Sequence, residues 1–180
     1  APVAMIAVAA VTIATGVLTA VNGAADIQQS VIRTNFVRDT VFNGNQTATV
    51  MVDYICSQLA KQNRLPKDGW VFSTNVSSDL PLKIAQSYGL QTFVTLTGFK
   101  FIGEQAKNIE GTGTYIFGYE ESYGCLIKDF VRDKDSIQAI LMVCEIEAWC
   151  ESQGMDIIDY LHKIYDREGY TRETQANIYM

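Results

Sequence analysis

The sequence predicts an α/β fold with a mostly parallel sheet of three to four strands, helices on both faces, and a preceding apolar helical segment. Two observations support this prediction. From about residue 43 onward, short β-rich segments alternate with segments of helical periodicity, and strands joined through helices pair in parallel by right-handed crossovers. Before that point, residues 1–25 contain no charged side chain.

The uncharged segment is only weakly hydrophobic, because it is rich in alanine, threonine and glycine. Its length suits a membrane helix, but no basic residue flanks it to set an orientation, and no basic region precedes it as in a signal peptide. Small residues such as Gly16 and Gly23 let helices approach closely. We favour a small-residue helix that is either buried or self-associating through residues 1–25 over a membrane segment or added sequence.

The first helix of the α/β part is predicted over QTATVMVDYICSQLAKQ, which starts at Gln46. Apolar side chains at Val50, Tyr54 and Leu59 recur close to a 3.6-residue spacing. The proline and glycine of the following NRLPKDG end this helix.

Three short strands rich in β-branched and aromatic residues follow. They are Trp70–Thr74, Gln91–Leu96 and Gly113–Gly118. Two helices are predicted between them, LPLKIAQSYG and FKFIGEQAKN. Ser77, Ser78 and Asp79 are candidate caps of the first, which stops at Gly89.

Two further helices are predicted near the end of the chain. They are Ser136–Glu151 and Met155–Tyr165. The VRDKDS stretch favours a helix N-terminus at which Asp133 or Asp135 caps backbone N–H groups. The alternative is that Arg132 or Lys134 extends into a ligand crevice.

Composition limits the partners of the chain. Its 180 residues are 48% hydrophobic and 19% charged, which is typical of one globular domain with an appendage. A net charge of -6, without a Lys/Arg run among aromatic residues, argues against nucleic acid as a partner. The four cysteines form no C-x-x-C motif, which favours reduced thiols in a cytoplasmic protein over a zinc site or a disulfide framework.

The predicted sheet indicates where a ligand would bind. In open α/β sheets small molecules bind beyond the carboxyl ends of the strands, where this chain has NVSSD, TGFK and GYEESYG. Glu120 and Ser122 offer hydrogen-bond partners for sugar hydroxyls, and Lys100 offers a point charge for phosphate. A polyol phosphate is therefore the expected ligand class. The alternative is that Gly118–Gly124 is a solvent-exposed acidic turn, in which a positive φ at Gly124 would make that glycine hard to replace.

Four ordered motifs in this part of the chain resemble a known family. They are GNQTATVMVDYI, TLTGFKFIG, FGYEESYG and VRDKDSIQA, and they fall between Asn43 and about Tyr165. This stretch resembles the third, sugar-binding domain of the α-D-phosphohexomutases, which include phosphoglucomutase and phosphomannomutase.

The resemblance implies roles for particular residues. The family's G-E-x-S loop contacts sugar hydroxyls, which places that role on Glu120 and Ser122, within the Gly118–Gly124 loop. Tyr119 stands where the family has the glycine before that glutamate. The T-G-x-K segment looks like the one whose lysine contacts the substrate's phosphate, which implies that role for Lys100.

The resemblance also implies what this chain lacks. The family's phosphoserine loop, magnesium loop and phosphate-binding loop belong to three other domains, and their T-A-S-H-N-P, D-G-D-G-D-R and R-x-S-G-T-E-P strings do not occur here. The expected partners are thus a hexose phosphate and the other domains of a full-length mutase. Mg²⁺ is expected for that full-length enzyme rather than for this chain, which is expected to be inactive alone.

Residues 1–42 do not resemble the mutases. The stretch LTAVNGAADIQQSVIRTNFVRDTVF is weakly similar to the helical linker that precedes toxin domains in Rhs-type polymorphic toxins. The sequence thus predicts an apolar helical segment at 1–42, a sugar-binding α/β domain at 43–169, and a tail or linker at 170–180. An alternative function is a non-catalytic carbohydrate-phosphate binding or interaction module fused to a helical linker.

Overall fold

The structure is a computed structural model that describes residues 42–172. The predicted apolar helix, its self-association, the similarity to a toxin linker and most of the predicted 170–180 tail therefore lie outside the described residues.

The described residues form five helices and four strands, as an α/β fold requires. In chain order they are α1 (Gly44–Lys61), β1 (Gly69–Thr74), α2 (Leu80–Ser87), β2 (Gln91–Thr95), α3 (Phe99–Asn108), β3 (Thr114–Tyr119), β4 (Cys125–Leu126), α4 (Ser136–Ser152) and α5 (Ile157–Glu168). The sheet order is β2-β1-β3-β4, with β1 parallel to both of its neighbours and β4 antiparallel to β3. This confirms the predicted fold class.

The helix caps explain several element boundaries. Asn43 caps α1 by accepting from the N–H of Gln46, whose side chain accepts from the Asn43 N–H in return. Of the two predicted candidates at α4, Asp135 is the cap, and it accepts from the N–H groups of Ile137 and Gln138. The last helix begins at Ile157 rather than Met155, because Asp156 caps it with a reciprocal bond pair.

The two faces of the sheet carry separate apolar clusters. On one face α3 supplies Phe99, Ile102 and Ala106, which pack against Phe72, Tyr115 and Leu126. On the other face α1 and α2 cover β1 and β3, and α4 and α5 pack on α1. The strand alternation places Val71 and Phe72 in different clusters. Helices thus lie on both faces, as predicted.

The strand β2 is the exposed edge of the sheet. Phe93, Val94 and Leu96 are among the exposed large apolar side chains there. Together with Phe101 of α3 they line a shallow cavity beside this edge. Within residues 42–172, none of the helices has the length and apolar character needed to cross a membrane.

An ion pair between a buried carboxylate and a half-exposed arginine joins α1 to α5. Asp53 is only 2% exposed. Its carboxylate accepts from the Tyr160 hydroxyl at 2.6 Å and from the Arg167 guanidinium at 2.5 Å. The sequence pattern gives no signal for this contact, because its partners are 107 and 114 residues apart. Tyr160 also packs on Trp149 of α4, with ring centroids 4.9 Å apart.

Candidate functional site

The loops that follow β1, β2 and β3 adjoin at the carboxyl edge of the sheet. The Asn75 N–H donates to the Thr95 carbonyl at 2.9 Å, and the Thr97 hydroxyl donates to the Asn75 side-chain oxygen at 3.1 Å. The third loop bonds to both of the others through Glu120 and Glu121. The three predicted loops therefore lie together at one edge of the sheet, as expected for parallel strands, and a ligand crevice between them stays a prediction.

Glu120 is held in a defined position at this edge. Although it is a carboxylate in a loop, it is only 7% exposed. Its Oε1 accepts from the Gly98 N–H at 3.0 Å, which ties the third loop to the start of α3. Gly98 has a φ of 121°, which only glycine adopts without strain, so the residue type at 98 is what directs this N–H at the carboxylate. Glu120 thus does not lie in a solvated acidic turn.

Gly124 is required for space and not for its backbone conformation. A positive φ at Gly124 was the condition under which a replacement there would strain the backbone, and this condition is not met: Tyr123 is the residue in the left-handed region, with a φ of 69°. A Cβ on Gly124 would lie 2.9 Å from Glu120 Oε2 and 3.1 Å from Lys134 Cδ. The missing side chain therefore leaves room for the Glu120 carboxylate.

The charge balance at Glu120 involves Lys134. Burial raises the pKa of the Glu120 carboxyl above its ordinary value, and the Gly98 N–H and the Lys134 ammonium partly oppose this shift. Lys134 itself also pairs with Asp133, at 3.1 Å. Asp135 caps α4, as the favoured interpretation of the VRDKDS stretch predicted, whereas an extension of Arg132 or Lys134 into a ligand crevice stays a prediction.

The other predicted site residues have different surroundings. Ser122 is exposed and makes no hydrogen bond within the part of the chain that the structure describes. Lys100 is exposed on the first turn of α3, with its ammonium 4.9 Å from the ring centroid of Phe101. Gly118 is buried in β3, where a Cβ would clash with the Tyr115 hydroxyl and Ile102. Ligand contacts by these three residues stay predictions.

Sequence reasoning missed the residues that hold the third loop in place. Ser77 was weighed only as a helix cap, yet its hydroxyl contacts Glu121. At the start of α2 it is Ser78 that contacts the helix, because its Oγ accepts from the Leu80 N–H at 3.3 Å. The sequence feature that could have indicated this contact is the position of Ser77, three residues beyond the end of β1.

The assembled edge offers oxygen acceptors, a hydroxyl and cations, which together suit a polar anionic ligand. The anchored carboxylate can accept hydrogen bonds from hydroxyl groups. Ser122 can donate or accept a hydrogen bond, and the ammonium groups of Lys134 and Lys100 can attract an anion. Within residues 42–172, no group of three or more His, Cys, Asp or Glu side chains is placed to hold a metal ion.

Comparison with known proteins gives consistent matches. Residues 43–167 match the family described as phosphoglucomutase/phosphomannomutase, alpha/beta/alpha domain III. Phosphoglucomutases of Staphylococcus aureus (strain USA300) and Staphylococcus haemolyticus are 32% identical over 136 residues and 30% identical over 132 residues, covering 75% and 73% of this chain. The chain spans 24% and 23% of the length of these two relatives.

One solved structure shows the same fold. It is the open form of the exocytosis-sensitive phosphoprotein parafusin, a phosphoglucomutase of Paramecium. It superposes with a TM-score of 0.57 at 22% sequence identity, and the match covers 74% of this chain and 22% of parafusin.

Proposed function

The chain belongs to the phosphoglucomutase/phosphomannomutase family, in which it corresponds to domain III, and from this premise we propose that it binds a hexose phosphate at the carboxyl edge of its sheet. Glu120 accepts hydrogen bonds from sugar hydroxyls, Ser122 exchanges hydrogen bonds with the same sugar, and Lys100 and Lys134 attract its phosphate. The loop from Gly118 to Gly124 carries the sugar contacts.

The observation that supports this proposal best is the fixed Glu120 carboxylate. A buried carboxylate without a full counter-charge destabilises a fold, so its presence at this edge is typical of a functional site. One oxygen is occupied by the Gly98 N–H, and the other lies beside Gly124. We propose that this second oxygen accepts from the sugar, and a carboxylate already held in place loses less entropy when the sugar binds.

The full-length protein is proposed to interconvert glucose 1-phosphate and glucose 6-phosphate. Phosphoryl transfer depends on a metal ion and on exact positioning of the phosphoryl group. In that reaction, the residues of this chain orient the sugar, while the phosphorylated serine and Mg²⁺ belong to other domains. The chain alone therefore binds substrate without turning it over.

Glu120→Gln tests the sugar contact. The amide keeps the shape but removes the charge, so we expect glucose 1-phosphate binding to weaken by about 1.5–3 kcal/mol, the range for a hydrogen bond to a charged group. We expect this chain alone to bind with a dissociation constant of about 1 mM, so the affinities are best compared by amide chemical-shift titration. The fold should tolerate the change. Because burial raises the pKa of the Glu120 carboxyl, the free energy of unfolding falls as the pH rises from the ordinary pKa of a glutamate through the raised pKa, and a neutral amide avoids this loss.

Glu104→Gln is the matched control, because Glu104 is exposed on α3 and undergoes the same chemical change. Its affinity should equal that of the wild type. Acidification should weaken wild-type binding further than Glu120→Gln binding, because the ligand phosphate titrates equally in both and only the wild type also protonates Glu120. Equal affinities of wild type and Glu120→Gln, with wild-type binding measurable, contradict the proposed sugar contact.

A further inference from the structure

We propose that Glu121 is a positioning residue: its carboxylate and its backbone N–H both bond to the loop that follows β1 and thereby set the directions of its neighbours Glu120 and Ser122. This inference rests on the proposed function, since those two neighbours are the proposed sugar contacts. The Glu121 side chain itself faces Thr74 and Ser77.

The Ser77 hydroxyl forms hydrogen bonds with both Thr74 and Glu121. The Ser77 hydroxyl donates to Glu121 Oε2 at 3.2 Å, and the Glu121 N–H donates to Ser77 Oγ at 3.1 Å. The Thr74 hydroxyl lies 2.8 Å from Ser77 Oγ and 3.5 Å from the same carboxylate oxygen. Because Ser77 donates its single proton to Glu121, its lone pairs are free to accept from Thr74 and from the Glu121 N–H. Glu121 is therefore bonded through both its side chain and its backbone.

Helix α1 fixes the opposite side of Glu121. A Cβ on Gly44 would lie 2.0 Å from the Glu121 carbonyl oxygen and 2.6 Å from the Tyr123 nitrogen. The first residue of α1 thus lies directly against the loop backbone, and only a glycine leaves room for it. Between β1 and α1, the Glu121 peptide has no freedom to rotate.

A fixed Glu121 determines what its neighbours can contact. The Glu120 N–H donates to the Gly124 carbonyl at 2.8 Å, which closes the loop, and the Glu120 side chain bonds to Gly98. On the other side, Tyr123 has a φ of 69°, a strained conformation for a residue with a side chain. Such strain persists only when the surroundings hold it, and the anchors on Glu121 are among the contacts that hold this loop. Loss of the anchors should release the strain and let Ser122 move.

The experiment removes the anchor without touching a proposed sugar contact. Ser77→Ala deletes both hydrogen bonds to Glu121, and Glu121→Gln keeps an acceptor for the Ser77 hydroxyl. We expect Ser77→Ala to weaken glucose 1-phosphate binding about three- to tenfold, the range of one or two net hydrogen bonds. Glu121→Gln should retain most of the wild-type affinity, and Glu121→Ala should resemble Ser77→Ala.

A second readout needs no ligand. Heteronuclear ¹⁵N relaxation of the free protein should show increased motion of the Ser122 and Tyr123 amides in Ser77→Ala and Glu121→Ala only. Ser87→Ala is the matched control, because its hydroxyl donates to the Ile84 carbonyl on α2, away from the loop. That control should match the wild type in both readouts, and circular dichroism confirms that each variant is folded.

The outcomes separate the two proposals. If the wild type shows no saturable shift at Glu120 or Ser122, the proposed function fails, while relaxation of the Ser122 amide still tests the anchor. If the wild type binds and both Ser77→Ala and Glu121→Ala bind equally well, the positioning role is wrong. Unchanged relaxation of the Ser122 and Tyr123 amides in these variants also overturns it, as does an equal loss of affinity in the Ser87→Ala control.

Discussion

Replacing Asp53 with alanine should lower the free energy of unfolding by about 1–3 kcal/mol, the range for leaving a buried hydrogen-bonding group without its partner. Asp53 is 2% exposed and bonds to both Tyr160 and Arg167 on α5. Without it, the Tyr160 hydroxyl loses its acceptor inside the core, while Arg167 still bonds to Glu168. The loss should come mainly from Tyr160, because its hydroxyl is buried, whereas the half-exposed Arg167 can be solvated by water.

Urea denaturation followed by circular dichroism measures this loss. Asp166→Ala is the matched control, because Asp166 is an exposed carboxylate on the same helix α5. Its effect should stay within about 0.5 kcal/mol, as for most surface substitutions. A loss below 1 kcal/mol in Asp53→Ala would show that the α1–α5 ion pair does not stabilise the domain.

Gly44→Ala should destabilise the protein by about 3 kcal/mol, the upper end of the usual range for overpacking. The new Cβ would meet the Glu121 carbonyl oxygen at 2.0 Å, and this neighbour is backbone that cannot change its rotamer. Alanine has the higher helix propensity by about 1 kcal/mol, so any loss is steric in origin. The loop must also move, and we expect shifted amide resonances at Glu121 and Tyr123 even without ligand.

Gly103→Ala is the informative comparison for this variant. A Cβ there would meet the Arg132 carbonyl oxygen at 2.2 Å, so it should destabilise α3 to a similar degree. Its clash lies outside the 121–123 backbone, so those amides should shift less than in Gly44→Ala. Chemical denaturation and amide spectra of both variants check this. Equal stability of Gly44→Ala and the wild type would contradict the close contact of α1 with the loop.

Local sequence patterns were sufficient to predict most of the elements. Each parallel strand lies in a short apolar run between turn residues, and α3 begins and ends at the predicted residues Phe99 and Asn108. In contrast, β4 has only two residues, Cys125 and Leu126, so it shows no alternation from which a strand could be predicted. Its pairing with β3 depends on the course of the loop between them.

The candidate site was predictable in its location but not in its internal bonding. Strand ends mark the crevice, and the family resemblance indicates Glu120 and Ser122 within it. The contacts that hold Glu120 join residues 22 apart, and those that hold Glu121 join residues 44 apart. Such pairs are brought together by the order of the strands and leave no periodic signal along the chain.

The most direct test of the central claim is an amide chemical-shift titration of the wild-type chain with glucose 1-phosphate, run in parallel with inorganic phosphate and with glucose. If the carboxyl edge of the sheet binds a hexose phosphate, the amides of Gly98, Glu120 and Ser122 will shift together and saturate with a single dissociation constant. The two fragments should bind more weakly than the intact ligand at the same amides. Shifts confined to other parts of the chain, or equal shifts with inorganic phosphate alone, would contradict the claim that this edge recognises a sugar phosphate.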